Sequence, residues 1–503
     1  MINSIKYFEE KCINKFENLE NEFMKEPKKM AEYVLGLTEE LHNLGLRMIQ
    51  ESLEDMNQML IESPVRCRYW VIESHETKRL ITSLGEVRFK KTLFKNKETG
   101  KSEYLLDRIL GLKRNERITE DALAKMLEET VQTSYRRGGE ETSIQSEVTK
   151  QAVKNKIHAL EFPKAITELE DEKKKKEKKV VEYLHIEADE DHASLQYQKK
   201  KGDLVKSKNN RKNNCLLTKL VYVHEGIEHE KPNSKRMKLI TPHYFASISA
   251  EKENKTFWDE IYEYIDTTYD LDVVKKVYIN SDGGPWIKAG MHRIAGITHV
   301  LDGFHLEKYI TKLTSHMEDS RWDISKEMRR IIRYKKKQDF NVLADLLEEY
   351  LEEKSENKLK LKSGLKRMED ARAYILSNWM AAKLRLLHTE GIVGSSTEGH
   401  VSHILSNRMS SRPLGWSKKG ASNVAQLCVY EKNRGDMLEL VRYQKQKLPK
   451  VVGAAYEVLS SVEIQRSEKN RHGELGKYTE TISHSLTINS KKKAYFNSQI
   501  WGL

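Results

Sequence analysis

The sequence predicts a multidomain α/β protein, in which a mixed sheet is interrupted by a helical insertion and preceded by a helical region and a small β module. Three observations carry that prediction. Val277-Tyr278-Ile279-Asn280-Ser281-Asp282-Gly283-Gly284 runs from three β-formers through a polar pair into an aspartate and two glycines, which reads as a short buried strand ending in a turn. Val181-Glu182-Tyr183-Leu184-His185-Ile186-Glu187-Ala188-Asp189 has the same character and also delivers an aspartate at its end. Residues 303 to 388 read as almost wholly helical and stand between this sheet and a later segment of small polar residues.

The length of 503 residues allows roughly two to four domains. A hydrophobic share of 38% supports sizeable cores. No apolar run of about 18 residues is present, so no membrane span is expected. Met1 to Asn21 is mixed in charge and lacks an apolar stretch of the secretory kind, which points to the cytoplasm. Cys12, Cys67, Cys215 and Cys428 lie far apart without a C-x-x-C spacing, which argues against a zinc knuckle and a disulfide framework. The net charge of +12 fits a polyanion partner, because lysines and arginines that neutralise phosphates release counterions.

In chain order, residues 1–62 form an N-terminal helical region that Pro27 breaks in two. Residues 63–110 form a small antiparallel β module, with strands at Arg68–Glu73 and Gly85–Phe94 and a return at Glu103–Leu106. Arg88, Lys90 and Lys91 lie among Phe89 and Phe94 there and are candidate phosphate contacts. Residues 111–165 read as short helices opening at the N-cap candidate Thr119. The last of them sets Val148, Ala152, Val153 and Ile157 on one side and Lys150, Gln151 and Lys154 on the other, a helix-turn-helix-like DNA-binding pattern. A charged linker covers 166–179. The sheet begins in 180–302, where Ala193–Gln196 is a candidate second strand. The helical insertion covers 303–390, the second part of the core 391–450, and a polar tail 451–503.

Phosphodiester chemistry needs an activated water or 3′ hydroxyl and a stabilised leaving oxygen, and two Mg2+ ions roughly 4 Å apart can supply both. Such ions take hard oxygen ligands, hence Asp and Glu. Asp189 and Asp282 at adjacent strand ends fit, with Asp191 on the same strand face as Asp189 and an alternative to it. Glu398 is the candidate third acid, with Glu390 its competitor. Ser396 or Thr397 is placed to cap a helix carrying Glu398, and its N-terminus, with Arg408 and Arg412 downstream, is a candidate phosphate site. Each Asp-Gly or capping Asp taken alone is ordinary turn chemistry.

His185-Ile186-Glu187-Ala188-Asp189-Glu190-Asp191-His192, Tyr278-Ile279-Asn280-Ser281-Asp282-Gly283, Leu301-Asp302-Gly303-Phe304-His305 and Ser396-Thr397-Glu398-Gly399-His400 together give the chain a family resemblance. It resembles bacterial insertion-sequence transposases of the ISLre type, among the acid-triad (DDE) transposases and related to the Mutator-like ones. The resemblance implies a ribonuclease-H-like core with the first Asp on the first strand, the second after the fourth strand, and the Glu on a later helix. It also implies a helical insertion before the Glu, and an Asp-x-x-His element that here is Asp302 and His305. On that resemblance Asp189, Asp282 and Glu398 hold two Mg2+ ions, with Mn2+ able to substitute, and Asp191, Asp302 and His305 support them. The partners implied are the terminal repeats of the element and target DNA, met by a homo-oligomer assembled on DNA. A nuclease without strand transfer, or an inactive or domesticated DNA-binding regulator, are the alternative readings.

Overall fold

The computed structural model describes residues 2–113, 115–163, 177–196, 205–206, 212–213, 215–248, 254–294, 296–354, 357–388, 390–411 and 415–446. Most of the charged linker, the polar tail and Arg412 lie outside the described residues. Two units are present. One comprises the described residues up to Thr130, Ser134–Val153 and those from Met437; the other comprises Val131–Thr133 and Lys154–Asp436.

In the first unit, Pro27 opens a single 3-10 turn between helix Ile13–Lys25 and the long helix α1, Met30–Glu62. α1 packs on an antiparallel sheet of β1 (Trp70–Ile81), β2 (Glu86–Asn96) and β3 (Ser102–Glu103). Leu53, Leu60, Leu80, Val87, Phe89, Phe94, Leu105 and Leu106 form its core. The third strand is shorter than expected because Leu105–Ile109 turns helical to bury Leu105 and Leu106. Lys91, expected to face phosphate, is instead buried. It donates to Asp107 Oδ2 at 2.8 Å, with Lys78 Nζ at 2.9 Å from Oδ1. Lys90 and Arg88 remain exposed, and Arg88 pairs with Glu86. Helices α2 (Glu120–Gln132), α3 (Tyr135–Glu140) and α4 (Lys150–His158) follow, the end of α2 from Val131 and that of α4 from Lys154 counting with the second unit.

The second unit is organised on a five-stranded mixed sheet: β4 (Tyr183–Ser194), β5 (Cys215–His224), β6 (His243–Ser247), β7 (Lys276–Ser281) and β8 (Ile297–Leu301). Their order is β6-β5-β4-β7-β8, with β6, β5 and β4 antiparallel and β4, β7 and β8 parallel. The parallel step from β6 across to β7 is made by α5 (Asn254–Thr268), as a parallel crossover requires. Its Trp258, Ile261 and Ile265 pack on Leu184, Ile186, Ala188, Val221, Val277 and Ile279. β4 is one strand of 12 residues where two were expected, because β5 pairs with it as far as Ser194↔Cys215. Asp189 and Asp191 therefore lie within this strand rather than at its end.

After the Asp282 turn and helix α6 (Pro285–Met291), β8 leads into α7 (Gly303–Thr314), α8 (Arg321–Tyr334), α9 (Lys337–Lys354), α10 (Lys358–Ser377) and α11 (Trp379–Leu387). These helices share a core of Leu306, Ile310, Met328, Ile332, Phe340, Met368, Ile375 and Trp379, which Leu301 of β8 joins. The chain then returns to the sheet through α12 (Thr397–Val401), a π-helical turn at Ser402–Ser406, and α13 (Lys418–Lys432). Asn433 closes that return by bracketing Tyr244 of β6 with two hydrogen bonds. No helix among the described residues is long and apolar enough to cross a membrane.

Candidate functional site

Strand register brings the aspartates together. Ser281 pairs with Ala188 on one side and with Leu301 on the other. The next residues along the three parallel strands are Asp282, Asp189 and Asp302. Crevices at the carboxyl ends of parallel strands are where open α/β sheets bind ligands. The Asp282 turn packs closely on α10 and its C-cap residue Asn378. Gly283 has φ +80°, and a Cβ there would stand 2.4 Å from Asn378 Oδ1, so only glycine fits. Tyr374 Oη donates to the Asp282 carbonyl at 2.6 Å, tying the turn to α10. Asp282 Oδ1 accepts from the Gly284 N–H at 2.9 Å, so the residue also does ordinary turn work.

Electrostatics separates the acids. Asp189 is 9% exposed. Burial, reinforced by the charges of Asp282 and Glu398, pushes its carboxyl up to about 7, against the Glu190 N–H bond and the nearby His305. Asp191 behaves oppositely. Burial raises it, but hydrogen bonds from Ser410 and Ser406 outweigh that and hold it below the usual range. Asp302 caps α7, accepting from the His305 N–H at 3.1 Å and from Ser395 Oγ at 2.6 Å. Although burial opposes them, these bonds bring it down to about 2. His305 is raised, first by Asp302, whose Oδ1 stands 3.6 Å from its Nδ1, and further by Asp189 and Asp282, against burial. A protonated imidazole is thereby favoured beside the acids. Glu390 acts at the other end of the strands, where its carbonyl accepts from Tyr278 Oη at 2.8 Å and its charge adds to the burial that raises Tyr183.

Among the described residues no three His, Cys, Asp or Glu side chains converge closely enough to hold a metal ion. The donor set is nevertheless of the right kind. Asp189, Asp282 and Glu398 offer hard carboxylate oxygens, and Asp189 feels the charges of the other two. A carboxylate driven to retain its proton by burial, and further by like charges, is one that a divalent cation would relieve.

Glu187 was not singled out in the sequence. Alternation places Leu184, Ile186 and Ala188 on the apolar face of β4 and His185, Glu187 and Asp189 on the other. Glu187 is fully buried there. It accepts from the Thr397 hydroxyl at 2.8 Å, the Ser396 N–H at 3.1 Å and the Tyr222 hydroxyl. His224 Nε2 stands 3.4 Å away. Ser396 or Thr397 is the cap expected for the helix of Glu398; Ser396 occupies the N-cap position without a side-chain cap bond, and the Thr397 hydroxyl and the Ser396 N–H turn to Glu187 instead. The one available signal was a glutamate at a strand position whose alternation places it inside.

The expected nucleic-acid contacts are scattered. Lys150 and Gln151 are exposed on α4 and Lys154 is half-buried, with Val153 and Ile157 on its packed side. Arg408 is 7% exposed, its guanidinium 4.9 Å from the Trp416 ring centre, so it is packed rather than presented.

Residues 23–447 match the Uncharacterised protein family (UPF0236). The chain belongs to that family. One UPF0236 protein of Caldanaerobacter subterraneus subsp. tengcongensis is 33% identical over 440 residues, spanning 88% of this chain and 85% of its own. A second from the same organism is 34% identical over 440 residues, spanning 88% of this chain and 86% of its own. The first bears eleven locus names in that genome. Among solved structures, a chain of the Drosophila P element transposase strand transfer complex aligns at 11% identity and a TM-score of 0.23, covering 78% of this chain and 93% of that one. That likeness is too slight to bear on the fold.

Proposed function

We propose that this UPF0236 chain is a DDE-type DNA transposase with a ribonuclease-H-like core, cutting the ends of an insertion sequence and joining the 3′ hydroxyl to target DNA. The observation that carries this reading is the register. The first strand of the sheet carries Asp189, the fourth ends at Asp282, and Glu398 follows on a later helix close enough to raise Asp189. The helices between Asp282 and Glu398 suit the insertion that such enzymes carry. One protein under eleven locus names in a single genome is also what a self-copying gene leaves behind.

In this reading Asp189, Asp282 and Glu398 hold two Mg2+ ions, with Mn2+ as substitute. When bound, the ions supply activation of the attacking oxygen and stabilisation of the leaving one. The chain's own groups do the rest. Asp189 gives up its proton on loading. Tyr374 fixes the turn that aims Asp282. His305, whose pKa Asp302 raises, would place a positive charge near the incoming phosphate when protonated. Asp191 is satisfied by Ser410 and stands outside the ligand set. Exposed Lys150 and Gln151, with Lys154, meet the terminal repeats.

The test is cleavage and joining of DNA bearing the element's end, with Mg2+ or Mn2+, comparing wild type with Asp282→Asn. Cleavage and joined product lost in the variant, with DNA binding intact, is expected. Cleavage without joining would select the nuclease. Equal activity in both proteins would move the chemistry elsewhere, and DNA binding without any cleavage would select the regulator.

A further inference from the structure

We infer that Glu187 is a positioning residue, a buried carboxylate that fixes the Ser395–Thr397 turn and so sets Glu398 against Asp189 and Asp282. The inference rests on the transposase reading and adds a residue to it. A fully buried carboxylate is destabilising unless hydrogen bonds satisfy it, and apolar residues of similar volume commonly serve a sheet face as well or better. The neighbouring positions Leu184, Ile186 and Ala188 show what the same strand does where only stability is at stake.

Glu187 Oε2 gathers its donors from one short stretch. The Ser396 N–H lies at 3.1 Å and the Thr397 hydroxyl at 2.8 Å, and Glu398 is the next residue. These partners are about two hundred positions away in the chain, so the contact is what docks the later segment on β4. Tyr222 donates to the same oxygen from the adjacent strand, which fixes the carboxylate in turn. The turn also reaches the third parallel strand. Ser395 Oγ lies 2.6 Å from Asp302 Oδ2, and its single proton goes to that nearer oxygen. Asp302 in turn accepts from the His305 N–H. Glu187 and Ser395 therefore bind the Glu398 turn to the interior of β4 and the end of β8 at once. α12 is only five residues long and carries no side-chain cap of its own. Without Glu187 the turn would rest on the Ser395–Asp302 bond and a long 3.3 Å contact between the Tyr222 and Ser396 hydroxyls.

Groups that orient metal ligands from outside the coordination sphere typically change affinity by about 10–100-fold when removed. The experiment measures Mn2+ affinity of the full chain by electron paramagnetic resonance, without DNA. It compares wild type, Glu187→Gln, Thr397→Val and Thr397→Ser, with end-DNA cleavage and DNA binding in chelator followed in parallel. Thr397→Val and Glu187→Gln are expected to weaken Mn2+ about 10-fold or more. Thr397→Ser, which keeps the hydroxyl, should restore wild-type affinity, and DNA binding should not change. Wild-type Mn2+ affinity in a folded Thr397→Val protein would overturn the positioning role while leaving the transposase reading intact. The Thr397 pair decides the matter if Glu187→Gln does not fold. A wild type that neither binds Mn2+ nor cleaves would end both readings.

Discussion

Leu184, Ile186 and Ala188 leave β4 on one side, His185, Glu187 and Asp189 on the other, and all six are buried. The first face is closed by α5 and behaves as a core, in which each side chain adds stability by leaving water. The second face is continued by Tyr222 and His224 of β5, is covered by the Ser395–Thr397 turn, and buries charge. Asp189 is held near 7 there, a state that weakens the fold at neutral pH. A single strand thus divides its labour by alternation: one face stabilises the sheet, and the other spends part of that stability on a reactive arrangement.

The sharpest way to break that division is to damage the apolar face. Trp258 is fully buried against the sheet and donates to the Trp286 carbonyl. Trp258→Ala should destabilise by about 3–5 kcal/mol in denaturant titration. Whatever fraction folds should bind Mn2+ as wild type does, and a selective loss of metal binding would blur the distinction between faces.

Asp302 comes next, because it serves stability and the site together. Its folded pKa near 2 lies below the unfolded value of about 3.9. The stability it adds is therefore present above about pH 4 and is lost as pH falls through about 2, on the order of 2 kcal/mol. Asp302→Asn should remove that amount at pH 7 and almost none at pH 2, measured by urea unfolding. A uniform loss across pH would mean that packing, not charge, is what Asp302 supplies.

A smaller effect should follow Ser410→Ala, which removes a hydroxyl bound to Asp191. A stability loss of about 1 kcal/mol with cleavage unchanged is expected. Lost cleavage would return Asp191 to the ligand set in place of Asp189. The least effect on stability should come from Lys150, Gln151 and Lys154 changed together to Ala, within about 0.5 kcal/mol by thermal unfolding. DNA affinity should fall, and its salt dependence should flatten by about one unit for each phosphate no longer neutralised. Unchanged affinity would remove α4 from the DNA-binding surface.

Much of this was legible in the sequence because strand alternation and Asp-Gly turns are local signals. Val277–Ser281 reads as a buried strand and is one, and Asp282-Gly283 needs the glycine that is there. Other features depend on distant partners. The length of β4 is set by β5, and the burial of Lys91 by Asp107 and Tyr104. The packing of Arg408 is set by Trp416. Glu187 was hidden for the same reason, since its partners in 395–397 are brought to it only by the fold.

The most direct test of a cation-demanding acid centre is the pH dependence of stability with and without Mn2+, for wild type and Asp189→Asn. An acid raised to about 7 in the fold, from about 3.9 unfolded, contributes stability below pH 4 that is lost as pH rises through 7. Between pH 4 and 8 metal-free wild type should lose on the order of 3–4 kcal/mol relative to Asp189→Asn. Mn2+ at about one hundred times its dissociation constant should return roughly 2.7 kcal/mol to wild type at pH 8 and much less to the variant. Parallel pH profiles for the two proteins, with no response to Mn2+ in either, would contradict the reading of Asp189 as a metal-binding acid.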